Sequence, residues 1–249
     1  MKLSFDWYPV FLREMLLFKH KLLRVGYLFS AMVAPIIYLV TFGLGLGRHI
    51  SMQNGSYIAF LLPGLVAMTS MNNSYTWVAS ALNLNRLYFK TFQVLVQAPL
   101  SSASILIGEI LAGMTKGLFA SVLILAVGFV ADRTFAITPI FVGALLLNCF
   151  LFACMGVIVG MKAKSHEDTS TYSNFFIMPM AFLSGTFFRV DMMPPFLKAV
   201  IYVLPLTHTN ILIRKSSMDP VAWMSLMVLL IYSAGCFAYG AWLIRNYSE

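Results

Sequence analysis

Apolar residues run along this chain in long uninterrupted blocks, not in the alternation of half-buried strands. A helix needs about 20 apolar residues to cross a hydrocarbon core about 30 Å thick. Six stretches meet that length: residues 25–47, 57–82, 103–131, 135–161, 169–188 and 221–244. Arg24 and Arg48 bracket the first, and only 103–131 contains charge, at Glu109 and Lys116. A seventh apolar region, Ala199 to Ile213, is too short and is broken by Pro205, so residues 189–215 are expected to form a re-entrant or interfacial segment. The pattern predicts an all-α integral membrane fold with six transmembrane helices, in one domain covering 1–249.

Residues 1–24 carry scattered charge and no small-residue cleavage site, so they do not read as a signal peptide. At 100° per residue, Arg13, Glu14, His20, Lys21 and Arg24 share one arc. Trp7, Phe11, Met15, Leu16 and Phe18 cover much of the rest. The expectation is an amphipathic helix, started by Pro9, lying in the headgroup plane.

Composition agrees with a lipid solvent: 60% of the 249 residues are apolar and 10% charged. A soluble chain of this size cannot hide that much apolar surface. The net charge of +8 does not point to nucleic acid, because the bases sit at the ends of apolar stretches and form no contiguous patch. With six spans both termini lie on one side, together with ten bases. The two short loops on the other side hold only Arg48 and Arg133, so the termini are placed in the cytoplasm. Cys149, Cys154 and Cys236 all fall in apolar runs and read as buried hydrophobes.

Polar groups inside lipid are costly, so their positions carry information. In the second stretch Thr69, Asn72, Asn73, Thr76, Ser80 and Asn83 recur at helical spacing, with Leu65, Met68, Val78 and Leu82 on the other side. Such a stripe forms either a polar seam between helices or one wall of a hydrophilic pathway, and six polar positions favour the pathway. In the third stretch Glu109, Gly113, Lys116, Gly117 and Ala120 share a face. Lys116, near mid-span, needs water or a partner, and Glu109 and Lys116 are the candidate intramembrane charge pair. The fifth stretch opens with Thr171, Tyr172, Ser173 and Asn174, then Phe175 and Phe176, which adds Tyr172 and Phe176 to the candidate path. Gly113–Gly117 and Gly156–Gly160 are small-xxx-small pairs, for which helix packing is the default reading.

No G-x-x-x-x-G-K-[ST] loop, H-E-x-x-H pair or G-x-S-x-G elbow occurs in the sequence, which argues against catalysis by this chain. One alternative is an ion-coupled secondary transporter or channel using Glu109 and Lys116, for which internal inverted repeats would be expected.

Several segments resemble the permease subunits of ABC-2 type ATP-binding-cassette exporters, the group that exports polysaccharides, nodulation oligosaccharides and drugs. They are YIAFLLPGL at 57–65, FQVLVQAPLS at 92–101, IGEILAG at 107–113, FLSGTFF at 182–188, MPPFL at 193–197 and LPLTH at 204–208. Gln93 departs from the family, whose members often carry an acidic residue there. The resemblance implies an N-terminal connecting helix and external re-entrant helices after Phe188. It implies a homodimer in the bacterial inner membrane with two copies of an ABC ATPase, which would hold the ATP and magnesium, leaving no cofactor on this chain. The loop from Asn85 to Pro99 would dock onto that ATPase through Arg86, Tyr88, Phe89, Lys90, Phe92 and Gln93. Uncharged polar groups beside aromatics would suit an amphipathic cargo: a glycolipid, a lipid-linked glycan or a drug.

Overall fold

The structure is a computed structural model that describes residues 6–22, 33–46, 56–131 and 137–247, and in that range it is built from helices. Its elements are α1 (Tyr8–Leu22), α2 (residues 33–38, continuing as a π-helix over Leu39–Leu46), α3 (Tyr57–Leu87) and α4 (Thr91–Gln97). There follow α5 (Ser102–Ala131), α6 (Pro139–Lys162), α7 (His166–Tyr172), a π-helical turn (Ser173–Ile177) and α8 (Met178–Leu183). A 3-10 turn (Val190–Met192) leads to α9 (Pro195–Val203), α10 (Pro205–Ile213) and α11 (Pro220–Arg245).

Several helices start where local chemistry satisfies the free N–H groups of a first turn. Ser56 accepts from the Ala59 amide, Thr138 from Phe141, Ser165 from Asp168 and Asp219 from Ala222. Proline follows the cap at Pro139 and Pro220, where its missing N–H costs nothing.

Among the described residues three helices are long and apolar enough to cross a membrane: Ser102–Phe129, Pro139–Lys162 and Pro220–Arg245. α9 and α10 form a fourth if the pair is one span, but they meet at Leu204 with a bend of 92°. α3, with 31 residues, is longer still, about 46 Å at 1.5 Å per residue, and its polar stripe dilutes its hydropathy. Of the first expected span, 25–32 and 47 lie outside the described residues, as do 135–136 of the fourth. The helix of the fifth ends at Leu183 and not at Phe188, because residues 184–189 turn and Gly185 adopts a left-handed φ of 74°.

α3 is the axis of the bundle, gripped by glycine pairs on both flanks. A Cβ on Gly113 of α5 would stand 3.2 Å from the Ser74 carbonyl oxygen, and one on Gly156 of α6 would stand 2.7 Å from that of Tyr75. The packing reading of both small-residue pairs therefore holds. α11 is an outer helix, buried only along the edge carrying Ala222, Ser225, Leu229, Ser233, Gly240 and Ile244.

α1 departs from the expected geometry. Its buried face is Val10, Glu14 and Phe18, spaced four residues apart. Val10 sits at Gly108, and the Phe18 ring meets the Phe119 ring at 5.5 Å. Those two points lie about 16 Å apart along α5, so α1 climbs α5 and does not lie at one level. Leu12, Leu16 and Leu17 face outward. Residues 1–5 and 23–24 of the expected interface helix lie outside the described residues.

Candidate functional site

A cleft of about 350 Å³ opens between α2, α3 and the π-turn with α8. α3 contributes Met68, Thr69, Asn72, Asn73 and Thr76, and the opposite wall contributes Ser173, Asn174, Ile177, Met178, Ala181 and Phe182. Ala34, Pro35 and Tyr38 complete it. Four of the six stripe residues thus share one wall. Met68, expected on the other side, joins them because it lies one helical turn before Asn72. Ser80 is part-buried beyond the cleft, and the Asn83 amide donates to the Ala163 carbonyl at 3.3 Å.

At the Tyr57 end the cleft is closed by aromatic rings. Tyr38 packs against Phe182 at 5.9 Å and Phe187 at 5.4 Å, and Phe42 meets Phe187 at 4.7 Å. The turn carrying these rings is pinned by three side chains. The Tyr57 hydroxyl donates to the Phe187 carbonyl at 2.7 Å, and the Asn210 amide donates to the Ser184 carbonyl at 2.8 Å. The Arg214 guanidinium donates to the carbonyls of Phe60, Gly185 and Thr186 while stacking on the Phe60 ring at 3.9 Å. Gly64 permits this approach, because a Cβ there would stand 2.9 Å from the Thr186 oxygen.

Besides Ser80, three expected path residues lie outside the cleft lining. Tyr172 and Phe176 stack on each other at 6.4 Å and are 37% and 48% exposed on the outside of the π-turn, which rotates Ser173 and Asn174 inward in their place. Lys116 is 1% exposed and buried beneath α1.

There it belongs to a four-charge cluster. Lys116 Nζ is 3.2 Å from Glu14 Oε2, which also accepts from the Trp77 indole at 2.9 Å. Arg13 Nη2 bridges Glu14 at 3.0 Å and Glu109 at 2.8 Å. The Lys116 ammonium also stands 3.6 Å from the Trp77 ring centroid. Glu109 and Lys116 therefore each find a partner on α1. Burial alone pushes the Glu14 carboxyl up, but Lys116, the Trp77 bond and Arg13 outweigh it and hold the group below the usual carboxylate range. The cluster thus ties α1 to α3 and α5 through two basic and two acidic side chains.

The expected docking loop is likewise divided. Tyr88, Phe89 and Val94 are 63%, 67% and 66% exposed, with Lys90 exposed beside them. Phe92 is 0% exposed and packs edge-on against Tyr247 at 5.1 Å, so it is not an external anchor. Gln93 donates inward to the Arg86 carbonyl at 3.0 Å and the Tyr247 hydroxyl at 3.3 Å, and Arg86 donates to the Ala163 carbonyl.

Sequence reasoning missed Asn148, which joins three helices. Its amide donates to the Ala67 carbonyl at 3.1 Å and to Ser70 Oγ at 2.7 Å, and its oxygen accepts from Thr209 at 2.8 Å. It is the one amide side chain in its apolar stretch, which was the available signal.

A family model for ABC-2 type transporters matches residues 11–218. The chain is 28% identical over 195 residues to the inner membrane transport permease YadH of Escherichia coli strain K12, covering 76% of this chain and 75% of that protein. Nodulation protein J of Rhizobium leguminosarum bv. viciae is 29% identical over 246 residues, covering 97% of this chain and 94% of the relative. Nodulation protein J of Rhizobium meliloti strain 1021 is 30% identical over 213 residues, 85% of this chain and 80% of the relative.

Proposed function

Because the chain belongs to the ABC-2 type transporter family, and is thus a membrane transport permease of the ABC exporter kind, we propose that two copies of it form a translocation path driven by two copies of a separate ABC ATPase. In this reading six spans cross the bacterial inner membrane, both termini are cytoplasmic, and α9 with α10 form an external re-entrant pair. ATP and magnesium reside on the partner, and this chain supplies no catalytic group. The Tyr88, Phe89, Lys90 and Val94 surface docks onto the ATPase, since exposed aromatics beside a base suit the centre of an interface.

The observation that carries the proposal is the cleft. Its volume of about 350 Å³ falls within the range of small-ligand sites. The α3 wall offers uncharged amides and hydroxyls, and the opposite wall adds Ser173 and Asn174 beside the apolar Ile177, Met178, Ala181 and Phe182. That mixture fits an amphipathic cargo with hydroxyls on an apolar body: a glycolipid, a lipid-linked glycan or a drug. The aromatic cluster at the Tyr57 end then acts as the outer closure, which ATP-driven movement must part.

Single cysteines in a cysteine-free background test this placement. Asn73→Cys, Thr76→Cys and Asn174→Cys should react with a water-soluble maleimide in intact membranes, while Leu65→Cys and Val78→Cys should not. Equal reaction on both sets would remove the cleft as the path.

A further inference from the structure

We infer that Arg86, acting through the Ala163 carbonyl, is the positioning residue that converts movement of α4 into movement of the cleft wall; this rests on the reading of α4 as the ATPase-docking helix. The geometry is a short continuous chain of contacts. α3 ends at Leu87, and the backbone reverses into α4 through Lys90, held at a left-handed φ of 55°. Gln93 on the inner side of α4 is tied to the Arg86 carbonyl, so a tilt of α4 pulls on that turn of α3. The Arg86 guanidinium and the Asn83 amide converge on one acceptor, the Ala163 carbonyl, at the buried end of α6.

Ala163 stands two residues before Ser165, the cap that starts α7. Ten residues after Ala163 the same helical path reaches Ser173 and Asn174 in the cleft. The corner held by Arg86 is therefore the hinge from which the cleft wall hangs. It also has polar groups left over for a second arrangement. Arg86 Nε and Asn83 Oδ1 are both buried without a hydrogen-bond partner, a spare donor and a spare acceptor whose residues share one carbonyl. A joint with two arrangements is what a partner's ATP cycle needs, because a ligand shifts an equilibrium only through differential contacts with its two states. Tyr247 steadies the joint from α11's end: its ring packs on Phe92 and its hydroxyl accepts from Gln93.

The test uses the complex as isolated from native membranes, with Asn174→Cys as reporter and a water-soluble maleimide as probe. Arg86→Met should still co-purify with the ATPase, since the Tyr88 and Phe89 surface is untouched. The change in labelling rate on adding ATP and magnesium should fall by about tenfold, the scale of one charge-assisted hydrogen bond. Arg86→Lys, which keeps a donor for the Ala163 carbonyl, should recover most of the response. Tyr247→Phe should lower it less than Arg86→Met does, and this pair decides the matter if Arg86→Met does not accumulate. A response of equal size in Arg86→Met and its parent, zero included, overturns the joint, as does full activity in both Arg86→Lys and Tyr247→Phe when the methionine variant is absent. ATPase that still co-purifies with the Tyr88→Ala/Phe89→Ala double variant overturns instead the docking surface beneath it.

Discussion

Replacing Lys116 with methionine keeps a stem of similar length and removes the ammonium that pairs with Glu14 at 3.2 Å. Glu14, 0% exposed, would keep the Trp77 N–H and Arg13 at 3.0 Å but would lose its buried ammonium partner. Breaking a buried pair from one side costs about 3–5 kcal/mol, and the remaining Arg13 contact points to the lower end, about 3 kcal/mol. At about 2–4 °C per kcal/mol for a chain of this size, Tm should fall by about 6–12 °C. With the partly exposed Cys236 replaced by serine in every variant, a thiol-reactive dye reports unfolding, because Cys149 and Cys154 are fully buried. Glu14→Gln combined with Lys116→Met removes one charge of each sign and should return Tm most of the way. If Lys116→Met melts within about 2 °C of the parent, or the double variant is no better than the single, the charges do not hold α1 to α5.

Phe89→Ala should leave Tm unchanged and weaken ATPase binding, whereas Phe92→Ala, its neighbour on the buried side of α4, should cost about 3–5 kcal/mol of stability, read by the same dye. Gly64→Ala should cost about 1–3 kcal/mol, because its Cβ would press on the Thr186 carbonyl, and this can be read as a lowered Tm. Asp219 caps α11, and its carboxyl is held below the usual range by the Lys215 contact and then by the Ala222 N–H. A depressed folded-state pKa gives a contribution present above the unfolded value and lost as pH falls through the folded one. Protection of the Ala222 amide from exchange should therefore drop below about pH 4, and Asp219→Ala should abolish that dependence.

Much of the bundle is legible from apolar length and cap chemistry. α5, α6 and α11 begin or end at the residues where Ser102, Lys162, Pro220 and Arg245 interrupt the lipid-facing pattern. What stayed hidden depends on partners distant in sequence. Periodicity places Glu14 with Arg13 on a polar arc, and only Lys116, 102 residues later, turns it inward. Phe92 reads as one more aromatic in an exposed loop until Tyr247, from the far end of the chain, covers it. The run of polar residues and then aromatics at 171–176 gives no facing for Tyr172 or Phe176, and the π-turn over Ser173–Ile177, which no local propensity signals, decides which of them meet the cleft. The stripe on α3 was readable because its partners are needed along a whole face, so Thr69, Asn72, Asn73 and Thr76 reach one cleft together.

In the proposed function, transport by this chain takes its energy from a separate motor protein. Vesicles reconstituted with the permease alone, or with its co-purifying ATPase, can be loaded with a fluorescent amphipathic cargo and followed after addition of ATP and magnesium. Cargo should move only when the ATPase and hydrolysable ATP are both present. Sustained cargo movement by the permease alone, driven by an ion gradient, would contradict it.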